Sequence, residues 1–487
     1  MNDSLATASA RTHAEAYPFN PGEHLGRLLA DVGLSTGDTG GAVSFAGTDP
    51  ILTSHLRLGS CIGLPIMGCA VAAVALWKLR TGQSQDLALD LRQAVHGITP
   101  HAFWHPTLNG EMAPHPLIID NPFLLDTYRT NDGRTVMISA VYPHQVAKWC
   151  RFLDVPPDRG RVSEAAGKWD AAPLEDAANS ESLPICIVRT PEEWETHPQG
   201  RWLAQQPVIT MEKIGDAPPR PLSAEPQRPL DGIRVLSFTH AVAGPTVGRT
   251  LAEQGAQVLC ATRPNDYEHD FIYCEANLGS RSAYIDLTTD SGRTRADELL
   301  VSTDVVVNNH RHGKLEALGL STDLLASRYP GIISVSVTCY GHGGPWAARG
   351  GFDMNGSAAA GLMTLEGTPD LPRLPVTGLI NDFITGYMGA IGATAAIRRQ
   401  AIEGGSWSVN VSLTRTAMWY LSLGLVDPSD AGSTEEHSLH EPRAYDARSP
   451  LGDVHVLAPP VDFSLTPPRW PDPPLVPRGS SRPTWDF

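Results

Sequence analysis

The chain is poor in the features that most quickly assign a protein. Its seven cysteines, Cys61, Cys69, Cys150, Cys186, Cys260, Cys274 and Cys339, form no Cys-x-x-Cys pair and show no metal-type spacing. Their odd number and dispersal suit thiols used mainly as small core residues in a reducing compartment rather than a disulfide framework. Cations are scarce, with 37 Lys and Arg against 53 Asp and Glu, a formal charge of −16. That balance argues against nucleic acid or an anionic membrane as the main partner, and an anionic ligand would need a locally basic pocket. Met1 to Tyr17 has no apolar stretch of the secretory kind, so the expected location is cytoplasmic. No Gly-x-Gly-x-x-Gly follows the first nucleotide-type strand, which leaves a nicotinamide dinucleotide site unsupported.

One apolar run, Cys61 to Leu79, is long enough to suggest a membrane span. Gly63, Pro65, Gly68 and Lys78 interrupt it, and a similar segment recurs with Arg398 and Arg399 inside it. A buried helix rich in small residues is the better reading.

At 487 residues the chain can hold two or three domains. An internal echo organises it. Gly41 to Thr48 resembles Gly361 to Thr368, Ala72 to Trp77 lies against Thr394 to Arg399, and Ser84 to Leu91 against Ser406 to Leu413. Asn381-Asp382-Phe383 then corresponds to Gly59-Ser60-Cys61. Two related units are expected, the first structural and the second chemical, because the stretch before Gly41 has no Gly-Phe-Asp.

The expected division is a degenerate helical segment over 1–110, a small α+β domain over 111–216 and a linker over 217–229. A nucleotide-type α/β domain over 230–425 and a Pro-rich tail over 426–487 follow, and the tail's last part, from Pro459, is expected to wrap an exterior surface. Within the small domain, Tyr128 to Ile138 carries Asp132-Gly133 at a hairpin turn. Gln145 to Leu153 and Thr190 to Ala204 read as helices, the second capped by Thr190. From Leu230, strand patterns at 233–238, 256–261, 304–308 and 332–338 alternate with helix patterns at 248–254 and 293–300. That alternation predicts a doubly wound parallel sheet, with ligands at the C-terminal strand ends.

The run Tyr340-Gly341-His342-Gly343-Gly344-Pro345-Trp346-Ala347-Ala348-Arg349-Gly350-Gly351-Phe352-Asp353 follows a strand pattern and ends on one carboxylate. Glycines let a ligand lie close to the main chain, and a carboxylate held there can act as a covalent nucleophile. Spacing alone also permits a turn with a solvated Asp.

Pro229 to Leu236, Ala243-Gly244-Pro245, Leu251 to Val258, Asp304 to Gly313 and the Tyr340 to Asp353 run together resemble the class III (CaiB/BaiF-type) CoA transferases. The resemblance covers 229–421 and, more weakly, 41–215, which looks like the second half of such a fold placed first. It implies an α/β fold in duplicated, permuted order, with CoA and acyl-CoA as substrates, no permanently bound cofactor and no metal. Partners would be an acyl-CoA and a carboxylic acid, and the protein would form an interlocked homodimer. Asp353 corresponds to the family's nucleophile, which forms an aspartyl-acyl anhydride and then an aspartyl-CoA thioester. Ala241, Val242 and Ala243 match the first CoA loop, and Asn309, His310 and Arg311, with Lys314 nearby, match the second. Arg263 and Arg281 are further cationic candidates, while the backbone N–H groups of Gly343, Gly344 and Gly350 are candidates for an oxyanion.

Some positions depart from the family pattern. Thr262 stands where Glu is common, Asn277-Leu278-Gly279-Ser280 replaces an Asn-Arg-x-Lys motif, and Val242 replaces a common Gln. The related α-methylacyl-CoA racemases carry His where this chain has Phe352, but they share an acid at Asp382. Proton transfer at two faces needs two titrating groups, so Phe352 counts against racemisation. Asp382 could equally cap the following helix, and His342 reads as a structural loop residue. CoA transfer is therefore the leading expectation. An acyl-CoA racemase or isomerase and a weakly active acyl-CoA-binding homologue are the alternatives.

Overall fold

Alternating polar and apolar residues make the first strands, and continuous Val/Ile/Leu runs make the later, fully buried ones. The computed structural model describes residues 19–98, 104–112 and 120–486. Near its start β1 (Gly40–Ala46) and β2 (Gln85–Asp90) pair in parallel across the helix Leu58–Thr81. A hairpin of β3 (Thr107–Leu108) and β4 (Glu111–Met112) precedes a small antiparallel sheet of β5 (Thr127–Arg129), β6 (Thr135–Ile138) and β7 (Ile185–Ile187). Gly133, at φ +77°, makes the turn between β5 and β6, as Asp-Gly predicts.

The main sheet has seven strands: β8 (Thr210–Gly215), β9 (Arg234–Phe238), β10 (Gln257–Thr262), β11 (Arg281–Tyr284), β12 (Val305–Asn308), β13 (Ile333–Thr338) and β14 (Ser406–Ser412). Their spatial order is β11-β10-β9-β12-β13-β14-β8, all parallel except β8 against β14. Apart from β8 this is the doubly wound order, which reverses between β9 and β12 and opens a crevice at their C-terminal ends. The C-terminal β15 (Ala444–Ser449) and β16 (Gly452–Leu457) extend the β3–β4 hairpin, and β17 (Asp462–Phe463) pairs with β2.

Two long helices, Leu58–Thr81 and Asn381–Glu403, pack on each other at the centre. Close approach depends on small residues: a Cβ on Gly68 would meet Ile391 Cδ1 at 2.6 Å, and one on Gly386 would meet Ala243 O, on the neighbouring helix Ala243–Glu253, at 2.7 Å. Leu58–Thr81 is apolar enough to cross a membrane by composition, yet its apolar window is wholly buried inside the protein, as the buried-helix reading expects.

Three expectations change. The pattern over 190–204 is two helices, Pro191–Thr196 and Pro198–Ala204, because Pro198 supplies no N–H to continue the first. Thr190 does cap the first, its Oγ1 accepting from Glu193 N at 3.2 Å. Gly41–Thr48 falls largely on β1, whereas its proposed echo contains the helix Leu362–Glu366; the strand that lies in parallel beside β14, as β1 lies beside β2, is β13. The tail is not confined to an exterior wrap. Trp470, Leu475, Val476 and Trp485 are buried, since large apolar side chains between the prolines remove more surface from water than an exposed strap would.

Candidate active site

Asp353 opens the helix Asp353–Ala359 and is 1% exposed. Asn355 sets the entry of the chain by accepting from the Phe352 N–H at 3.0 Å. The Asp353 carboxylate meets the start of the helix Asn381–Glu403. Its Oδ2 accepts from the backbone N–H of Ile380 at 3.0 Å and of Asp382 at 2.8 Å, and its Oδ1 from Asn381 Nδ2 at 3.2 Å. Asn381 Nδ2 also donates to Asp353 O at 2.9 Å and to Ser357 Oγ at 2.8 Å, tying the two helix starts together. A helix N-terminus favours negative charge, and this one is aimed at the carboxylate.

Burial raises the Asp353 carboxyl above the usual carboxylate range, while the N–H groups of Asp382, Asn381 and Ile380 pull it back. Asp382 is pushed well up by burial and by the charge of Asp353. The two share one titration, in which the donors gathered on Asp353 place the negative charge there and the proton on Asp382. Asp382 is therefore not the helix cap: its N–H is itself capped, by Asp353.

The crevice between β9 and β12 is joined to this carboxylate by a line of rings. Asn309 Oδ1 accepts from His240 N at 3.1 Å and Asn309 Nδ2 donates to His240 O at 2.7 Å, locking the two strand-end loops to each other. Ala241 holds a left-handed conformation, φ +58°, and its N–H donates to Glu268 Oε2 at 2.9 Å. Val242 and Ala243 begin the helix Ala243–Glu253. His240 and His310 have ring centroids 5.1 Å apart, and Tyr142 Oη lies 2.7 Å from His240 Nδ1. The Tyr142 ring is 6.3 Å from Phe352, next to the nucleophile candidate. Burial lowers both histidines, His310 to about 3, so each is neutral at pH 7. Burial, then Glu268 and Asp382, raise Tyr142, which stays a neutral phenol.

Other candidates sit differently. The Arg281 guanidinium donates to Pro473 O at 3.0 Å and Asp472 O at 3.4 Å, so the tail occupies it. Arg263 pairs with Asp266. Into the position where the family pattern has a Glu, the tail delivers Arg478: its Nη2 donates to Thr262 Oγ1 at 2.6 Å and to Arg263 O at 3.2 Å, and its Nη1 donates to Asp266 O. Arg311 and Lys314 are exposed beyond β12, and a Cβ on Gly350 would meet Arg311 Cδ at 3.3 Å. The loop at Gly343 and Gly344 is fastened by Gln199, whose Nε2 donates to Tyr340 O and Gly343 O at 2.7 and 2.9 Å, while Trp346 N donates to Gln199 Oε1 at 2.8 Å. The hydrogen bonds to the Asp353 carboxylate itself come from Ile380, Asn381 and Asp382. His342 is exposed, edge-on to Trp202. Sequence reading missed Tyr142, His240, Glu268, Asn381 and Arg478. Only Asn381, beside Asp382 in the echo, left a local signal.

The model of CoA-transferase family III matches residues 33–219 and 230–451, and the chain belongs to that family. It is 35% identical over 219 residues to the acetyl-coenzyme A transferase nodX of Hypoxylon pulicicidum, covering 44% of this chain and 37% of that one. It is 31% identical over 238 residues to the succinyl-CoA–L-malate CoA-transferase alpha subunit of Chloroflexus aurantiacus, covering 46% and 53%. A crystal structure of a CAIB/BAIF family protein from Brucella suis is 26% identical, covering 46% of this chain and 65% of that one, at a TM-score of 0.37. The chain spans about half the length, or less, of the curated relatives named here.

Proposed function

We propose that this protein transfers CoA from an acyl-CoA to a carboxylic acid, with Asp353 as covalent nucleophile. The observation that carries this reading is the Asp353 carboxylate, buried and held ionised by two backbone N–H groups and an amide at a helix start. Water weakens a carboxylate nucleophile; a dry, oriented site removes that penalty.

In the proposed sequence an Asp353 oxygen attacks the thioester carbon, the C–S bond breaks, and CoA leaves as thiolate. The thiolate attacks the Asp353 carbonyl of the resulting anhydride and expels the donor acid, leaving an aspartyl-CoA thioester. The acceptor carboxylate then displaces CoA to form a second anhydride. The returning thiolate attacks the acceptor carbonyl and frees the Asp353 carboxylate. The loops at Ala241–Ala243 and Asn309–Arg311 flank the crevice proposed to hold CoA. The duplicated, permuted order, the domain division, the homodimer and the cytoplasmic setting are parts of the same proposal; the last is supported by seven free thiols.

The test is a panel of acyl-CoA thioesters with hydroxylamine, read by intact-protein mass spectrometry and peptide mapping. A hydroxamate at Asp353 is expected, and a panel that labels nothing there overturns the reading. A second reading, α-carbon isomerisation, is favoured by the Asp353–Asp382 pair alone. It requires solvent deuterium to enter the acyl α-position without any acceptor acid.

A further inference from the structure

Away from the crevice, the helix Ala243–Glu253 turns Arg249 into a small cavity between Leu58–Thr81, Asn381–Glu403 and the C-terminal segment. The cavity measures about 30 Å³. Arg249 is 6% exposed, yet its Nε and Nη1 have no hydrogen-bond partner. Among the described residues no carboxylate forms an ion pair with it. Its guanidinium lies between the rings of Trp470, 5.2 Å away, and Phe383, 5.7 Å away. These rings stabilise the cation without supplying acceptors.

A buried cation lacking a counter-charge is strongly destabilising, and a guanidinium N–H left without an acceptor suits a small anion. We propose that this cavity binds a small monovalent anion, a halide or a short carboxylate, against the guanidinium of Arg249. Water could satisfy the two N–H groups but would leave the charge uncompensated while Glu253 is protonated. The volume suits one ion of this size, roughly the space of one or two waters, and excludes larger oxyanions.

The other groups facing the cavity permit an anion. Burial raises Glu253 to about 7 while the Arg249 charge pulls it down, so above that pH Glu253 supplies the counter-charge and below it the carboxyl is neutral and leaves the cation to a ligand. Burial lowers His96, leaving it uncharged at pH 7, and Arg443 is already paired with Asp462. Tyr387 and the Cys69 thiol are both pushed up by burial and remain neutral. Because Trp470 closes the cavity, the anion would fasten the tail to the central helices. The site stands independently of the CoA reading.

The test uses the full chain crystallised in sodium bromide at pH 6 and pH 8, with bromide then competed by acetate. An anomalous bromine peak within hydrogen-bond distance of the Arg249 guanidinium is expected at pH 6 and is weaker at pH 8. Displacement by acetate marks a site for halides and carboxylates; persistence marks one for halides, and either supports the proposal. In solution, Tm should rise by several degrees in chloride relative to gluconate at equal ionic strength, and Arg249→Met should abolish that difference. No bromine signal at pH 6, or a wild-type Tm indifferent to the choice of anion, overturns the proposal whether or not the variant folds.

Discussion

Asp49 and Asp353 hold equivalent stations at the two long central helices. Asp49 Oδ1 accepts from Gly59 N at 2.7 Å and its Oδ2 from Ser60 N at 2.8 Å, at the start of Leu58–Thr81. Asp353 accepts from Ile380 and Asp382 N–H groups at the start of Asn381–Glu403. Each carboxylate follows the first strand of a parallel strand–helix–strand unit, β1 to β2 or β13 to β14. They differ in company: Asp49 also accepts from Ser60 Oγ, where the second unit places the acid Asp382.

Asp49→Ala is therefore expected to lower stability by about 1–2 kcal/mol, the scale of a lost helix cap, while acyl transfer survives. Asp353→Asn should abolish transfer, on the order of 10³-fold or more for a removed nucleophile. Parallel denaturant melts and steady-state assays of both variants check the contrast.

The Asp353 carboxyl is raised by burial, and the attacking species is its anion. Transfer should therefore fall on acidification with a midpoint above the ordinary Asp value of ~3.9. Asp382→Asn mimics the protonated neighbour, so this acid limb should persist in that variant. A pH profile of kcat/KM for both proteins decides it.

Glu175 and Arg189 form a buried pair, Oε2 to Nη2 at 2.8 Å, with side chains 5% and 9% exposed. The Glu175 carboxyl is also within 3.6 Å of Arg349, on the loop that leads to Asp353. Although burial opposes it, the Arg189 and Ile187 hydrogen bonds hold Glu175 below its usual value. A depressed folded-state value gives stability that is present above the unfolded carboxylate range and is lost as pH falls. Glu175→Gln should cost about 3–5 kcal/mol at neutral pH and flatten the acid dependence of urea unfolding.

Arg281 is spent on tail carbonyls, whereas Arg478 brings a cation to Thr262 beside the crevice. Arg281→Met should expose the tail to limited proteolysis and leave KM for the acyl-CoA nearly unchanged. Arg478→Met should raise that KM several-fold with little change in kcat, provided the crevice binds CoA phosphates.

Much of the sheet was legible because its central strands are buried on both faces and read as apolar runs between helix patterns, as at Ile233–Phe238 and Ile332–Thr338. The Pro198 break and the buried tail tryptophans were not. A proline can either start a helix or interrupt one, and a tryptophan between prolines carries no mark of which surface will cover it.

Local sequence determined the strands, the capped helix starts and the Gly-rich approach to Asp353, because turn chemistry and side-chain periodicity act over a few residues. Tertiary structure decided what Asp353 touches, that Tyr142 stands over Phe352 and His240, and that the tail claims Arg281 in place of a ligand. Those contacts join segments far apart in the chain, and their energies depend on burial and neighbouring charge, which exist only once the chain has packed.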